Sequence, residues 1–419
     1  LLPPGGDEPP DLLVVDVRED EPHRVVRAPG QVAPALLGRD DVVGRRDQLA
    51  EGTRRRLVLE RAEGADVGHG GRDATSAARA PGGPREASAG GATMTGPVLA
   101  DLTPEQRAAA AHPAGPALVL AGAGAGKTRV LCRRLAWLVD RGVRPDEIIA
   151  LTFTREAAVE LRARADALIG RSHETLRVAT FHSYAAELAR VHGVERGLLP
   201  DAGVARTEDR VLMLLDRLGE LDLRLHDLRG DPARLADEIV RRIDACRDQL
   251  VGADAYVRWA EERARTAGSR GAAHRAAREL EFARAYAAHD RWLTEAGLED
   301  FGLSIVRALE LLRAHPDRLE AARARARHVL VDEFQDTNHA QAELLYLVAQ
   351  GAESLVVVGD DDQGIYRFRG ASAKNIADFR RRFPGAAELR LERNHRSTQA
   401  ILDAAAAVVT PIRARAPKT

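Results

Sequence analysis

The sequence predicts an α/β fold: a parallel sheet with crossover helices, interrupted by a helical insertion. Three observations carry that expectation. From Val98 to about residue 200, short apolar runs alternate with longer amphipathic ones. Between about 201 and 297 the strand-like runs vanish, and arginine- and glutamate-rich amphipathic stretches take their place. Apolar runs of the strand type then return at His328–Val331 and Leu355–Val358. They are continuous rather than alternating, as a sheet covered on both faces requires.

The first helix is announced by Asp101-Leu-Thr103-Pro104-Glu105-Gln106, with a capping residue, a proline in the first turn and an acidic residue at the positive end of the helix dipole. Ala117–Leu120 reads as a short buried strand, Ala121 to Gly126 as a glycine-rich loop, and Lys127 to Val139 as a helix. A second strand, Ile148–Phe153, leads into a helix from Arg155 to Leu168. A third, Leu176–Thr180, leads into a helix from Tyr184 to His192. In the helical block, Glu208–Leu218 and Leu235–Leu250 are amphipathic, and Trp259 and Trp292 are expected as apolar anchors of a bundle. A last strand, Glu388–Leu391, precedes a helix from Ser397 to Val409.

At 419 residues the chain has room for roughly three domains. Its 62 basic and 63 acidic side chains nearly cancel, so any surface for a polyanion must be local. Cys132 and Cys246 are the only cysteines, too few for a disulfide framework or a four-cysteine zinc site. No run of 18 apolar residues and no secretory start are present, which leads to the expectation of a cytoplasmic protein without membrane contact. Residues 1–93 contain no Phe, Tyr, Trp or Ile and are broken by Pro and Gly. They are expected to be disordered. They are either a flexible extension or the product of a start assigned upstream of Met94, the first methionine.

Lys127, Lys374 and Lys418 are the only lysines, so each stands against a strong preference for arginine. Lys127 has a chemical reason. Ala121-Gly122-Ala123-Gly124-Ala125-Gly126-Lys127-Thr128 fits a phosphate-binding loop, except that Ala121 replaces the first glycine of the strict pattern. The glycines let backbone N–H groups turn toward phosphate oxygens and the following helix aims its positive end at them. Lys127 reaches the terminal phosphates, and the Thr128 hydroxyl can ligate Mg2+. The second half of a nucleoside triphosphatase follows in Val329-Leu-Val-Asp332-Glu333. There Asp332 is the metal carboxylate and Glu333 the base for the attacking water.

With Asp332-Glu333-Phe-Gln335-Asp336 in place, Thr180-Phe181-His182-Ser183 upstream and Gly359-Asp-Asp-Asp-Gln363-Gly-Ile-Tyr366-Arg-Phe368-Arg369 downstream, the chain resembles the UvrD/Rep family of superfamily 1 DNA helicases. The resemblance runs from about residue 101 to 411 and includes Gln106, Leu151-Thr-Phe153-Thr154 and Arg393-Asn394-His395-Arg396-Ser397. It implies ATP hydrolysis with Mg2+, coupled to 3' to 5' movement along single-stranded DNA and at duplex junctions. It also implies two RecA-like motor domains. The first comprises 94–200 and 298–385 around the insertion at 201–297, and the second starts at 386–419 and is incomplete. Through the resemblance, Gln106 recognises adenine, and His395 stacks on it where the family often has Tyr. Arg129 joins the nucleotide-binding loop, and Gln363 and Arg396 reach the terminal phosphate.

Phe153, Phe181, Tyr366 and Phe368 follow strands or lie within motifs in a chain with only 4% aromatics, and are expected as exposed platforms for DNA bases. Thr154, His182 and Arg369 are expected beside them. The arginine-rich faces of the insertion are expected to be solvated, with duplex contact as the other reading. Two rival functions stay open: a non-catalytic, ATP-responsive DNA-binding module, and the motor part of a helicase-nuclease. The chain is expected to be an N-terminal fragment with weak activity alone. Protein partners have no sequence signal.

Overall fold

The structure is a computed structural model and describes residues 97–193, 203–226, 230–360, 362–364 and 375–409. The expectation for residues 1–93 lies outside the described residues. Helix α1 (Pro104–Ala110) begins with a reciprocal cap: Thr103 Oγ1 accepts from the Gln106 N–H at 3.3 Å, and Gln106 Oε1 accepts from the Thr103 N–H at 3.4 Å. Next come β1 (Gly115–Ala121), α2 (Lys127–Asp140), β2 (Ile148–Thr152), α3 (Arg155–Ile169), β3 (Arg177–Thr180) and α4 (Phe181–Gly193). A predominantly helical stretch holds β4 (Gly203–Val204), α5 (Thr207–Asp216), α6 (Pro232–Asp248), α7 (Ala253–Arg265), α8 (Arg270–Glu295) and β5 (Leu298–Glu299). The chain continues through α9 (Phe301–Ala314), α10 (Pro316–Ala324), β6 (His328–Val331), α11 (His339–Ala349), β7 (Ser354–Gly359), α12 (Asn375–Arg382), β8 (Ala387–Leu391) and α13 (Gln399–Val409).

Six strands form one parallel sheet in the order β3-β2-β6-β7-β1-β8. Alternate residues of each central strand enter opposite cores, because side chains along a strand point to opposite faces. Leu118, Leu120, Ile149, Leu151, Val329, Val331, Leu355 and Val357 pack with Tyr184 and Leu188 of α4, Leu309 of α9 and Leu345 of α11. Ala117, Val119, Ile148, Ala150, Leu330, Val356 and Val358 pack with Leu131 and Leu135 of α2 and Leu161 of α3. Both faces are therefore covered, which is why the strands read as unbroken apolar runs. β8 departs from the sequence reading. Placed there beyond a boundary at 386, it pairs with β1 as the outer strand of this same sheet, with Ala121 opposite Leu391.

The helical stretch is tied to the start of α9 by buried charge. Arg247 Nε donates to Asp300 Oδ2 at 2.8 Å, and its Nη2 to Asp290 Oδ1 at 2.6 Å. Arg210 donates through Nη1 to Asp244 Oδ1 at 2.6 Å and through Nε to His289 Nε2 at 3.0 Å. Asp300 also caps α9 by accepting from the Leu303 N–H at 2.7 Å. The Arg247 and Arg210 charges hold the Asp300 carboxyl below its ordinary range despite its burial. Not all of the arginines are solvated, then: Arg210 and Arg247 sit inside. Trp292 is buried as expected, while Trp259 is half-buried and meets Tyr256 edge-on.

Candidate nucleotide and DNA site

The loops that carry the motifs leave the carboxyl ends of adjacent parallel strands, where ligands of open α/β sheets bind. The glycine loop follows β1, Asp332 and Glu333 follow β6, Asp360 follows β7, and Phe153 follows β2. Residues 394–396 follow β8 and return to the glycine loop: the His395 N–H donates to the Gly124 carbonyl at 2.9 Å, and Asn394 Nδ2 to the Ala123 carbonyl at 2.5 Å.

Within the loop, Ala121 closes β1 and Ala121 and Ala125 are buried, while Gly122, Ala123 and Gly124 are more open. Gly124 and Gly126 have φ of 70° and 93°, a conformation that glycine adopts without strain. Gly126 is the residue before α2, so the free N–H groups of that helix begin at Lys127 and Thr128. Gln106 packs against the loop, with Nε2 donating to the Ala125 carbonyl at 3.0 Å. Its other amide contact, Oε1 accepting from the Thr103 N–H at 3.4 Å, is the longer one. Arg129 faces away on Asp101, with Nη2 donating to Oδ2 at 2.5 Å.

Lys127 is 9% exposed, and its ammonium lies 2.9 Å from Glu333 Oε2. That contact is ionic, and the buried Nζ lacks a well-aligned hydrogen bond to any described residue. A buried cation with unused N–H groups at the mouth of a glycine loop suits a phosphate. Asp332 is buried, donates its N–H to the Leu151 carbonyl at 2.9 Å, and accepts from the Glu333 N–H at 3.0 Å. Burial and the adjacent Glu333 charge push its carboxyl up to about 6. Asp336 is likewise pushed up to about 6 by burial and by Glu333. Such crowding of negative charge favours a cation. Among the described residues no group of three or more His, Cys, Asp or Glu could hold a metal on its own. Magnesium carried on nucleotide phosphates needs only one or two protein oxygens, and Thr128 and Asp332 fit that demand. Glu333 adopts φ 48°, a left-handed conformation that costs a non-glycine residue about 1–2 kcal/mol.

Gln363 is half-buried and its Nε2 donates to Asp360 Oδ2 at 2.5 Å. Arg396 and His395 are exposed, with the Arg396 N–H donating to Asn394 Oδ1 at 2.8 Å. Asn394 therefore grips the glycine loop with one end of its amide and shapes the Arg396 turn with the other.

The expected DNA platforms divide. Phe153 is half-buried, and Thr154 caps α3, its Oγ1 accepting from the Ala157 N–H at 3.1 Å. Phe181 is not a platform. It is 1% exposed and packs in the core, because α4 starts at Phe181 directly after β3 and leaves no loop tip. His182 is half-buried, and burial lowers its imidazole below the ordinary range. It meets Phe301 edge-on with ring centres 5.7 Å apart. Tyr366, Phe368 and Arg369 lie outside the described residues.

Three residues escaped the sequence reading. Phe301, 41% exposed at the first position of α9, is an aromatic ring beside a motif histidine in an aromatic-poor chain. Its rarity was a usable signal. Asn394 and Gln335 lie inside motifs, but only their contacts reveal what their amides join.

No helix among the described residues is long and apolar enough to cross a membrane. Residues 102–384 match the family model for the UvrD/REP helicase N-terminal domain. The chain is similar to DNA helicase II of Escherichia coli (strain K12), at 37% identity over 313 residues, which is 74% of this chain and 41% of that relative. It is 38% identical over 323 residues to the ATP-dependent DNA helicase UvrD1 of Mycobacterium tuberculosis (strain ATCC 25618 / H37Rv), covering 74% of this chain and 39% of the relative. For the ATP-dependent DNA helicase PcrA of Leuconostoc citreum the identity is 36% over 306 residues, covering 73% and 38%. The chain thus spans about two fifths of the length of the curated relatives it matches. With the family model covering most of its length and its glycine loop facing an acidic pair across parallel strand ends, the chain belongs to the UvrD/REP helicase family.

Proposed function

We propose that the chain is the ATP-binding front portion of a 3' to 5' DNA helicase that moves on single-stranded DNA, including at duplex junctions, and acts in the cytoplasm. The observation that carries this reading is the Lys127–Glu333 contact at 2.9 Å, which brings the glycine loop and the acidic pair into one site. Lys127 takes the terminal phosphates, Glu333 accepts the proton of the attacking water, and Gln363 turns from Asp360 toward the terminal phosphate. Arg396 approaches from the turn that Asn394 holds on the loop, with Gln106 and His395 at the adenine. Thr128 and Asp332 would hold magnesium, which when bound neutralises charge building on the phosphates. Phe153, His182 and Phe301 form the described part of the DNA track and Thr154 borders it, while Tyr366, Phe368 and Arg369 are assigned to DNA from their motif alone. The inserted helical domain at 201–297 goes with this reading, and β8, paired with β1, stays with the first motor domain, so the second begins after Leu391.

ATP hydrolysis measured with and without single-stranded DNA tests it. DNA-stimulated turnover is expected. Tight ATP binding with no hydrolysis under either condition would favour the ATP-responsive binding module instead.

A further inference from the structure

We propose that Gln335 is a positioning residue for ATP hydrolysis, fixing the Glu333 carboxylate in register with the loop that carries Gln363. The proposal rests on the reading of Glu333 as the base. Gln335 is 5% exposed and both ends of its amide are engaged. Nε2 donates to Glu333 Oε2 at 2.8 Å and lies 3.4 Å from Asp336 Oδ2. Oε1 accepts from the Asp360 N–H at 2.9 Å. Asp360 in turn accepts from the Asp362 N–H at 3.1 Å and from Gln363 Nε2 at 2.5 Å. One planar amide therefore spans the ends of β6 and β7.

The fit admits few substitutes. A methyl group on Gly359 would stand 2.9 Å from Gln335 Oε1, so the end of β7 comes as close as a bare glycine allows. Glutamate at 335 would keep an acceptor for Asp360 but lose the donor to Glu333, and leucine would supply neither. Because Glu333 sits in a left-handed conformation just past a strand, no regular backbone sets the direction of its carboxylate. Lys127 and Gln335 both reach Glu333 Oε2. When Lys127 turns to a phosphate, the Gln335 amide remains to aim the carboxylate.

The test combines single-turnover ATP hydrolysis, equilibrium ATP binding and amide hydrogen exchange in the full chain and in Gln335→Leu, Gln335→Glu, Glu333→Gln and the Gln335→Leu/Glu333→Gln double variant. Gln335→Leu and Gln335→Glu should each slow hydrolysis about 10- to 100-fold, the size of a lost bond to a charged group, with ATP affinity held within about threefold. Asp360 amide exchange should speed up in Gln335→Leu and stay unchanged in Gln335→Glu, a readout that needs no turnover. The double variant should be no slower than Glu333→Gln, because a residue acting through another adds nothing once that other is gone. Losses that multiply, or unchanged Asp360 exchange in Gln335→Leu, would overturn the proposal. Native hydrolysis by Glu333→Gln would instead remove the base assignment, and the proposal with it.

Discussion

A single methyl group at Gly124 tests whether the Arg396 turn seats on the glycine loop. Gly124 has φ 70°, and an alanine Cβ there would lie 2.7 Å from Asn394 Nδ2 and 2.8 Å from Arg396 Cβ. The left-handed conformation costs alanine about 1–2 kcal/mol. Moving the tip of Asn394 does not relieve the collision, because Arg396 Cβ is fixed to its backbone. The turn must withdraw, losing the Asn394–Ala123 and His395–Gly124 hydrogen bonds. At about 0.5–1.5 kcal/mol each, these bring the total to about 2–5 kcal/mol. A domain stability of about 5–15 kcal/mol survives that, so the damage stays local. In Gly124→Ala, exchange of the His395 amide should accelerate by about 30-fold or more, and on the role proposed for Arg396 hydrolysis should fall as well. Unchanged His395 exchange together with native hydrolysis would refute the seating.

Asp300→Ala should destabilise the chain by about 3–5 kcal/mol in urea unfolding, because it leaves the buried Arg247 and Arg210 without their shared carboxylate and uncaps α9. A loss below about 1 kcal/mol would mean that solvent reaches the cluster. Phe181→Ala should cost about 3–5 kcal/mol of stability, whereas Phe301→Ala should spare stability and weaken single-stranded DNA binding by about 1–3 kcal/mol, read by anisotropy. The reverse pattern would restore Phe181 as the platform. Burial, with Arg134 and Arg327 nearby, pushes His328 down to about 4, although Glu147 and the Glu353 carboxylate 3.3 Å from its Nε2 oppose the shift. Unfolded His328 thus binds a proton that the folded form refuses between about pH 6.5 and 4. Stability from this residue is present above that window and lost as pH falls through it, by about 1–2 kcal/mol after solvent screening. In His328→Asn the difference in stability between pH 7.5 and 4.5 should shrink by that amount, and an equal difference in both proteins would contradict it.

The order of strand, loop and helix from β1 to α2 was legible because each carries a local signal: an apolar run, spaced glycines and a rare lysine. The position of Asp332 and Glu333 just past β6 was legible from the apolar run that precedes them. Phe181 was misread because a ring just after a strand suggests a loop tip, and nothing in the local pattern says that α4 follows without one. β8 was found as a strand, yet its pairing with β1 was missed, since alternation gives a strand's faces but not its neighbour. The contacts of Gln335 with Asp360 and of Asn394 with Ala123 join residues 25 and 271 positions apart, beyond any periodic signal. Buried Arg210 and Arg247 looked like solvated faces because composition records charge and not the carboxylates that fold against it.

Lys127→Ala and Glu333→Gln, compared for ATP affinity and for hydrolysis in the presence of single-stranded DNA, divide binding from chemistry at the 2.9 Å contact that joins the loop to the acidic pair. Lys127→Ala should lose ATP binding and hydrolysis together. Glu333→Gln should keep its affinity while hydrolysis falls at least about 100-fold, as expected when a general base is removed. Native turnover in either variant, or equal loss of binding in both, would contradict a site in which Lys127 holds the phosphates and Glu333 activates the water.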